Sequence, residues 1–258
     1  MIKFFRKIRQ RLLTENKFSK YVLYAIGEIV LVVIGILIAL QLNTWNENQK
    51  NNEKLSSYLQ ASLTDLKDDL LSLNYEIDEL TRYNESTKLF LNHPDYNAFN
   101  LDSLEQSLES YYVGMFAYYS DLNFKKIESS GITNYGSYKE IMNDVIRYYK
   151  HFVPFMTDSE KAVNNDIDSA DNYWRYNQNI FEFNDVDGID TYQSESERKQ
   201  TLIRLLKSPI PRNILRIIYQ RNEGYIFRAK QTQKHLSVLI PKLENALEIN
   251  SIHIPAEN

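Results

Sequence analysis

Apolar residues follow two patterns along this chain. One unbroken block lies near the start, and beyond it apolar positions recur every three or four residues. The block runs from Tyr21 to Leu42, YVLYAIGEIVLVVIGILIALQL, and contains a single charged residue, Glu28. A helix rises about 1.5 Å per residue, so the block spans roughly 33 Å against a hydrocarbon core of ~30 Å. It predicts one transmembrane helix over residues 21–42. Downstream, Leu59, Leu63, Leu66, Leu70, Leu73, Ile77 and Leu80 alternate at spacings of four and three, which marks one helix face packing in a bundle or coiled coil. Neither Gly nor Pro interrupts residues 43–93, so the membrane helix is expected to run on into this seam and stop before Pro94.

Seven Gly and six Pro punctuate the whole chain, and long strand-like alternation is absent. Further helices are expected at about 101–120, 122–130, 137–152, 154–182, 195–207 and 211–250. Phe99, Asn100 and Asp102 read as a helix start, Ser129-Ser130-Gly131 as a stop, and Pro209 and Pro211 as brackets of a short break. The predicted fold class is all-α: a single N-terminal transmembrane helix continuing into an antiparallel helical bundle, with the stalk and C-terminal helices packed against each other. The expected divisions are 1–20, a basic amphipathic segment; 21–42, the span; 43–250, the bundle; and 251–258, a flexible tail.

Charge sets the expected orientation. Of the chain's 30 basic and 34 acidic residues, seven basic residues and only Glu15 among the acids lie in the first twenty positions. Positive charge flanking a span is retained in the cytoplasm. The N-terminus is therefore expected inside, and the larger acidic part outside, in the periplasm of a bacterium. A cleaved signal peptide is the competing reading. The block is longer than a typical signal core, however, and QLNTWNENQK lacks small residues at a cleavage spacing, which favours an uncleaved signal anchor. Ile2, Phe4, Phe5, Ile8, Leu12 and Leu13 recur among basic residues in the manner of a helix lying in the inner headgroups, with a frayed basic tail as the alternative. Tyr21, Tyr24 and Trp45 are expected at the interfaces.

Within the span, Gly27, Leu31, Gly35 and Ala39 follow at four-residue intervals, placing small residues on one stripe that a second helix can approach. Glu28 adjoins that stripe. An acid inside a membrane is costly, so it reads as a partner contact, a protonated or snorkelling residue, or a proton carrier. Gly27, Glu28, Gly35 and Ala39 are the candidate membrane-interaction residues. The partners expected are the lipid bilayer and either a second copy or another membrane protein.

Candidate chemistry is sparse. With no Cys, thiol catalysis and Cys-based zinc sites are excluded. His93, His151, His235 and His253 are scattered, and no G-x-S-x-G, H-E-x-x-H, P-loop or G-x-G-x-x-G motif occurs. Residues 184–190, NDVDGID, resemble a calcium loop only faintly: with Gly188 at loop position six, Phe183 and Ser194 occupy ligand positions one and twelve. A polar turn is the plainer reading. Asp158, Asp166, Asp168 and Asp171 read as a solvated helix face, and Tyr173, Trp174, Tyr176, Ile180, Phe181 and Phe183 as core. Lys199, Arg204, Lys207, Arg212, Arg216, Arg221, Arg228 and Lys230 make the C-terminal third locally basic, which pairing with the acidic stalk accounts for more simply than a patch for an anionic glycan or partner. Glu128, Glu140 and Asp144 could be brought together as catalytic carboxylates, but nothing in their spacing demands it. The acidic external part disfavours nucleic acid as a partner. No metal and no cofactor is expected.

The segment KFSKYVLYAIGEIVLVVIGILIALQLNTWNE, with Glu15 and Asn16 before it, resembles the N-terminal signature of a large uncharacterised family of bacterial single-span proteins. Phe124 to Tyr149, FKKIESSGITNYGSYKEIMNDVIRYY, is similar to that family's second recurring segment: a helix, Ser-Ser-Gly, a turn, then a helix ending in paired tyrosines. The resemblance implies an inner-membrane protein without an assigned activity. The expected role is a non-enzymatic scaffold, sensor or interaction module. The alternative is an accessory subunit of an ion-motive or transport complex that uses Glu28.

Overall fold

The computed structural model describes residues 18–109, 119–183 and 188–251. The expectations for the basic segment before the span, for Asn184 to Asp187 and for the tail with His253 lie outside these residues, as do the side chains of Tyr21 and Tyr24. Seven α-helices carry the described fold and no strand occurs in it: α1 (Phe18–Asn92), α2 (Leu101–Glu109), α3 (Leu122–Ser129), α4 (Lys139–Arg147), α5 (Val153–Asn172), α6 (Glu195–Leu206) and α7 (Pro209–Ser251). Backbone proximity divides the chain into two units, Met1–Leu55 and Ser56–Asn258.

In the first unit, the described side chains of the apolar block of α1 are exposed, apart from half-buried Ala25 and Glu28. Its most apolar window has a mean hydropathy of 2.6, and none of it is buried within the fold. Trp45 is exposed beyond it. The polar stretch that follows is stitched by helical i, i+4 bonds, Asn43 Nδ2 to Glu47 Oε1 (3.3 Å) and Gln49 Nε2 to Glu53 Oε1 (3.2 Å).

In the second unit, the heptad seam of α1 faces inward as predicted. Leu59, Leu63, Leu66, Leu73, Ile77 and Leu80 are buried, while Leu70 is only half-buried. The helix ends one residue earlier than Pro94 demands, and Asp95 caps a short 3₁₀ turn by accepting from Asn97 N (3.0 Å). The stalk and C-terminal helices run antiparallel: Lys67 pairs with Glu244 (2.6 Å), Asn74 accepts from Gln233 (2.6 Å), and Asn84 donates to the Tyr219 carbonyl (3.1 Å). α5 and α4 pack on α7, and α2 on α6. One core cluster gathers Phe90, Tyr96, Leu101, Leu104, Trp174, Phe181, Leu202, Leu206 and Leu215.

Three predicted boundaries fail, each for a local reason. A break at Pro154 is expected, yet the chain stays helical from α4 through a π-turn (Tyr148–Phe152) into α5. Val153 N–H bonds to the Tyr148 carbonyl five residues back, and this widened turn takes up the proline next to it, which needs no N–H partner at the start of α5. The helix expected to reach 182 instead ends in a second π-turn (Tyr173–Asn177), where Gln178 turns extended and its side chain takes over the hydrogen bonding of the loop. The break expected between Pro209 and Pro211 falls just before them, at Lys207 and Ser208, because both prolines lie in the first turn of α7, where a missing N–H costs little. The predicted helix over 101–120 is described only as far as Glu109. The stop at Ser129-Ser130-Gly131 is as expected: Gly131 adopts φ +73°, the left-handed conformation that ends helices at little steric cost.

Candidate functional site

The seam of α1 contains polar residues that its leucine pattern conceals. Ser62, Asp69, Asn84 and Thr87 are buried in it, and Asp69 is 2% exposed. The π-turn after α4 supplies what Asp69 meets. A wider turn brings two consecutive side chains, Tyr148 and Tyr149, into the core. The Tyr148 hydroxyl donates to Asp69 Oδ2 at 2.6 Å. Tyr149 stacks on Phe124 of α3, ring centroids 4.6 Å apart and 12° from parallel. Seven residues along the same side of α1, Glu76 Oε2 accepts from the hydroxyl of Tyr225, on α7, at 2.5 Å. Asp65, one turn before Asp69, accepts from Asn123 Nδ2 (2.9 Å). The hydroxyls of Ser62, Tyr119 and Tyr149 are buried around these acids with no hydrogen-bond partner at bonding geometry.

Electrostatics mark the same place. Burial pushes the Asp69 carboxyl up to about 7, the charges of Asp65 and Asp68 add to that, and the Tyr148 hydroxyl and the Ser120 backbone N–H hold it down only in part. Burial also raises Glu76, with Glu160 adding and Tyr225 opposing. Tyr119, Tyr148, Tyr149 and Tyr225 are all raised, chiefly by burial, so these phenols stay neutral donors. His235 of α7 stacks on Phe152 (4.4 Å) and, farther off, on Tyr148 (6.3 Å). Burial lowers it, Arg147 and Lys242 act in the same sense, and Asp144 opposes them.

The residues singled out from the sequence lie elsewhere. Gly27, Leu31, Gly35 and Ala39 share one exposed stripe of α1, and a Cβ added at Gly27 or Gly35 would meet nothing within 4 Å. Glu28 is half-buried beside that stripe. The aromatic run is core at Trp174 and Phe181, as expected, but Tyr176 points outward. Glu128 and Asp144 are engaged with Lys150 (2.7 Å) and Lys242 (3.1 Å) on the surface. Among the described residues no group of three or more His, Asp or Glu is placed to hold a metal. Among the described residues, three arginines of the basic C-terminal third meet partners other than the stalk's acids. Arg221 meets Asp166 of α5 (2.5 Å), Arg228 donates to Ser159 of α5 (2.7 Å), and Arg212 donates to Tyr96 Oη (2.6 Å) and the Leu91 carbonyl (2.9 Å).

A second buried ion was not visible in the sequence. Arg198 of α6 is 4% exposed; it donates from Nη2 to Glu105 of α2 and from Nε to the Glu182 carbonyl (3.0 Å), with its guanidinium over the Phe181 ring (5.6 Å). Nothing in a helix start reading SESERK distinguishes this arginine from its solvated neighbours.

A family of unknown function (DUF6090) matches residues 28–192, well over half of the chain, from within the apolar block of α1 to the loop before α6. The chain belongs to that family. The matched DUF6090 range includes Asp69, Glu76, Tyr119, Tyr148 and Tyr149, whereas Tyr225, His235 and all of α7 fall outside it. It also takes in the whole Phe124–Tyr149 segment with its Ser-Ser-Gly turn and paired tyrosines. No curated protein and no solved structure matches.

Proposed function

We propose that this DUF6090 chain is a single-pass protein of the bacterial inner membrane, with its basic N-terminus in the cytoplasm and its helical domain in the periplasm. There the domain acts without catalysis, as a scaffold or sensor that meets another envelope component. The observation that carries the reading is the apolar block of α1, exposed on every side where soluble folds bury such a surface. The basic excess before the block supports the orientation. Self-association through the stripe of Gly27, Gly35 and Ala39 is the proposed mode of assembly, with Glu28 facing the partner helix.

Reporters fused after Asn258 test the placement: a periplasmic reporter is active and a cytosolic one silent. Activity of the cytosolic reporter alone, or recovery of a soluble chain trimmed near Gln41, refutes it. Cross-linking in membranes tests the assembly, where Gly35→Leu is expected to reduce the cross-linked species. A Glu28→Gln chain that loses function at unchanged abundance would transfer support to the accessory-subunit reading.

A further inference from the structure

We propose that the helical domain responds to protons through Asp69, with Glu76 as a second, weaker element, and that protonation tightens the packing of α3 and the α4 π-turn on the α1 seam. The inference rests on the periplasmic placement above, since that compartment follows external pH. It names the trigger of the sensor.

The geometry carries it. Asp69 and Glu76 are seven residues apart, so both lie on one side of α1; Asp69 is buried and Glu76 half-buried along a seam built mainly of Leu and Ile. Each is tied to a different element by one tyrosine hydroxyl: Tyr148 from the π-turn, Tyr225 from α7. The groups facing Asp69 are Asp65 and Asp68 from its own helix, Tyr148 and Tyr149 from the π-turn, and Tyr119 with the Ser120 N–H from the strand of chain before α3. Those facing Glu76 are Tyr225 of α7, Glu160 of α5 and Tyr119. Among the described residues, the groups that chiefly act on the two acids are carboxylates, hydroxyls and a backbone N–H. An ionised Asp69 is therefore a buried negative charge beside two further acids. A neutral Asp69 removes that charge and gains an O–H donor beside the buried hydroxyls of Ser62, Tyr119 and Tyr149.

The sign follows from the direction of the shift. The carboxyl is raised from 3.8 to about 7, so the folded packing binds the proton more tightly than the opened chain. The resulting stabilisation is complete below about pH 4 and lost as pH rises through about 7. Between pH 5.5 and 7.5, Asp69 alone changes the opening equilibrium by about twentyfold. His235, packed against Tyr148 and Phe152 and flanked by Asp144, Arg147 and Lys242, is lowered and works against this on the acid side.

The test is hydrogen exchange of the full chain in lipid nanodiscs at pH 5.5 and 7.5, corrected for intrinsic exchange and read in peptides covering α3 and α4. Opening about twentyfold more frequent at pH 7.5 is expected, with Asp69→Asn removing the pH dependence and His235→Gln enlarging it. A wild-type ratio below about threefold, or an Asp69→Asn chain that retains the full ratio, overturns the proposal. Should Asp69→Asn fail to fold, Tyr148→Phe decides: it withdraws a bond that favours the ionised carboxyl, so the midpoint must move to higher pH, and an unmoved midpoint overturns the proposal. These measurements use purified protein. A cytoplasmic reporter signal would thus sink the placement alone, and pH-independent exchange the proton response alone.

Discussion

Replacing Arg198 by methionine is expected to cost the domain about 3 kcal/mol of stability. The arginine side chain is 5% exposed and that of Glu105 20%, so both charges of the pair are largely removed from water. Breaking such a pair by removing one partner typically costs about 3–5 kcal/mol, because the remaining charge stays buried and uncompensated. Glu105 keeps a fifth of its surface in water and regains some hydration, which places the cost at the lower end. The lost bond to the Glu182 carbonyl contributes roughly 1 kcal/mol of it, and methionine preserves most of the contact with Phe181. For a domain of this size the loss corresponds to a fall in melting temperature of roughly 6–12 °C.

Urea unfolding of the detergent-solubilised chain measures it, followed by the fluorescence of Trp174, which lies in the same core cluster. A Trp45→Phe background removes the exposed tryptophan of α1. In the presence of Glu105→Gln, Arg198→Met should cost only about 1–2 kcal/mol, a coupling of roughly 1.5 kcal/mol. Arg198→Lys should recover little, since one ammonium cannot reach both the carboxylate and the carbonyl in the arginine's planar geometry. A loss below about 1 kcal/mol for Arg198→Met, or additive single and double variants, refutes the reasoning.

Further consequences follow from the seam and the caps. Asn84 donates to Glu223 (2.8 Å) and to the Tyr219 carbonyl (3.1 Å) and accepts from Asn222 (3.1 Å), so Asn84→Ala should lower stability by about 2–3 kcal/mol in the same urea assay, whereas a change near zero would mean that the network is solvated. Leu66 is fully buried in the seam, and Leu66→Ala should cost about 3–4 kcal/mol through lost burial and the cavity left behind, read as a lowered urea midpoint at unchanged slope. Ser194 and Glu197 form a reciprocal capping box at the start of α6, where Ser194→Ala should cost about 1 kcal/mol and increase exchange at the first amides of that helix.

Residue order alone determined the elements of this protein. A block of apolar residues longer than a bilayer core, a three-four repeat of leucines and a shortage of Gly and Pro specify one membrane-length helix and a helical domain, because each is a local property of the chain. Asn100 and Gly131 end or begin helices for the same reason: their side chain or backbone acts within a few residues. Tertiary structure decided which polar groups are buried. Asp65, Asp68 and Asp69 are the same residue type within five positions of one helix, yet Asp69 is the buried one, bonded by Tyr148 from a distant turn. Arg198 likewise differs from Lys199 and Arg204 only through Glu105 and the loop at Glu182, which lie far away in sequence. The continuity past Pro154 depends on a widened turn held by its packing against other helices, which no local pattern announces. Helices form from neighbours along the chain, while the charge environment of a side chain is set by whatever the folded chain brings beside it.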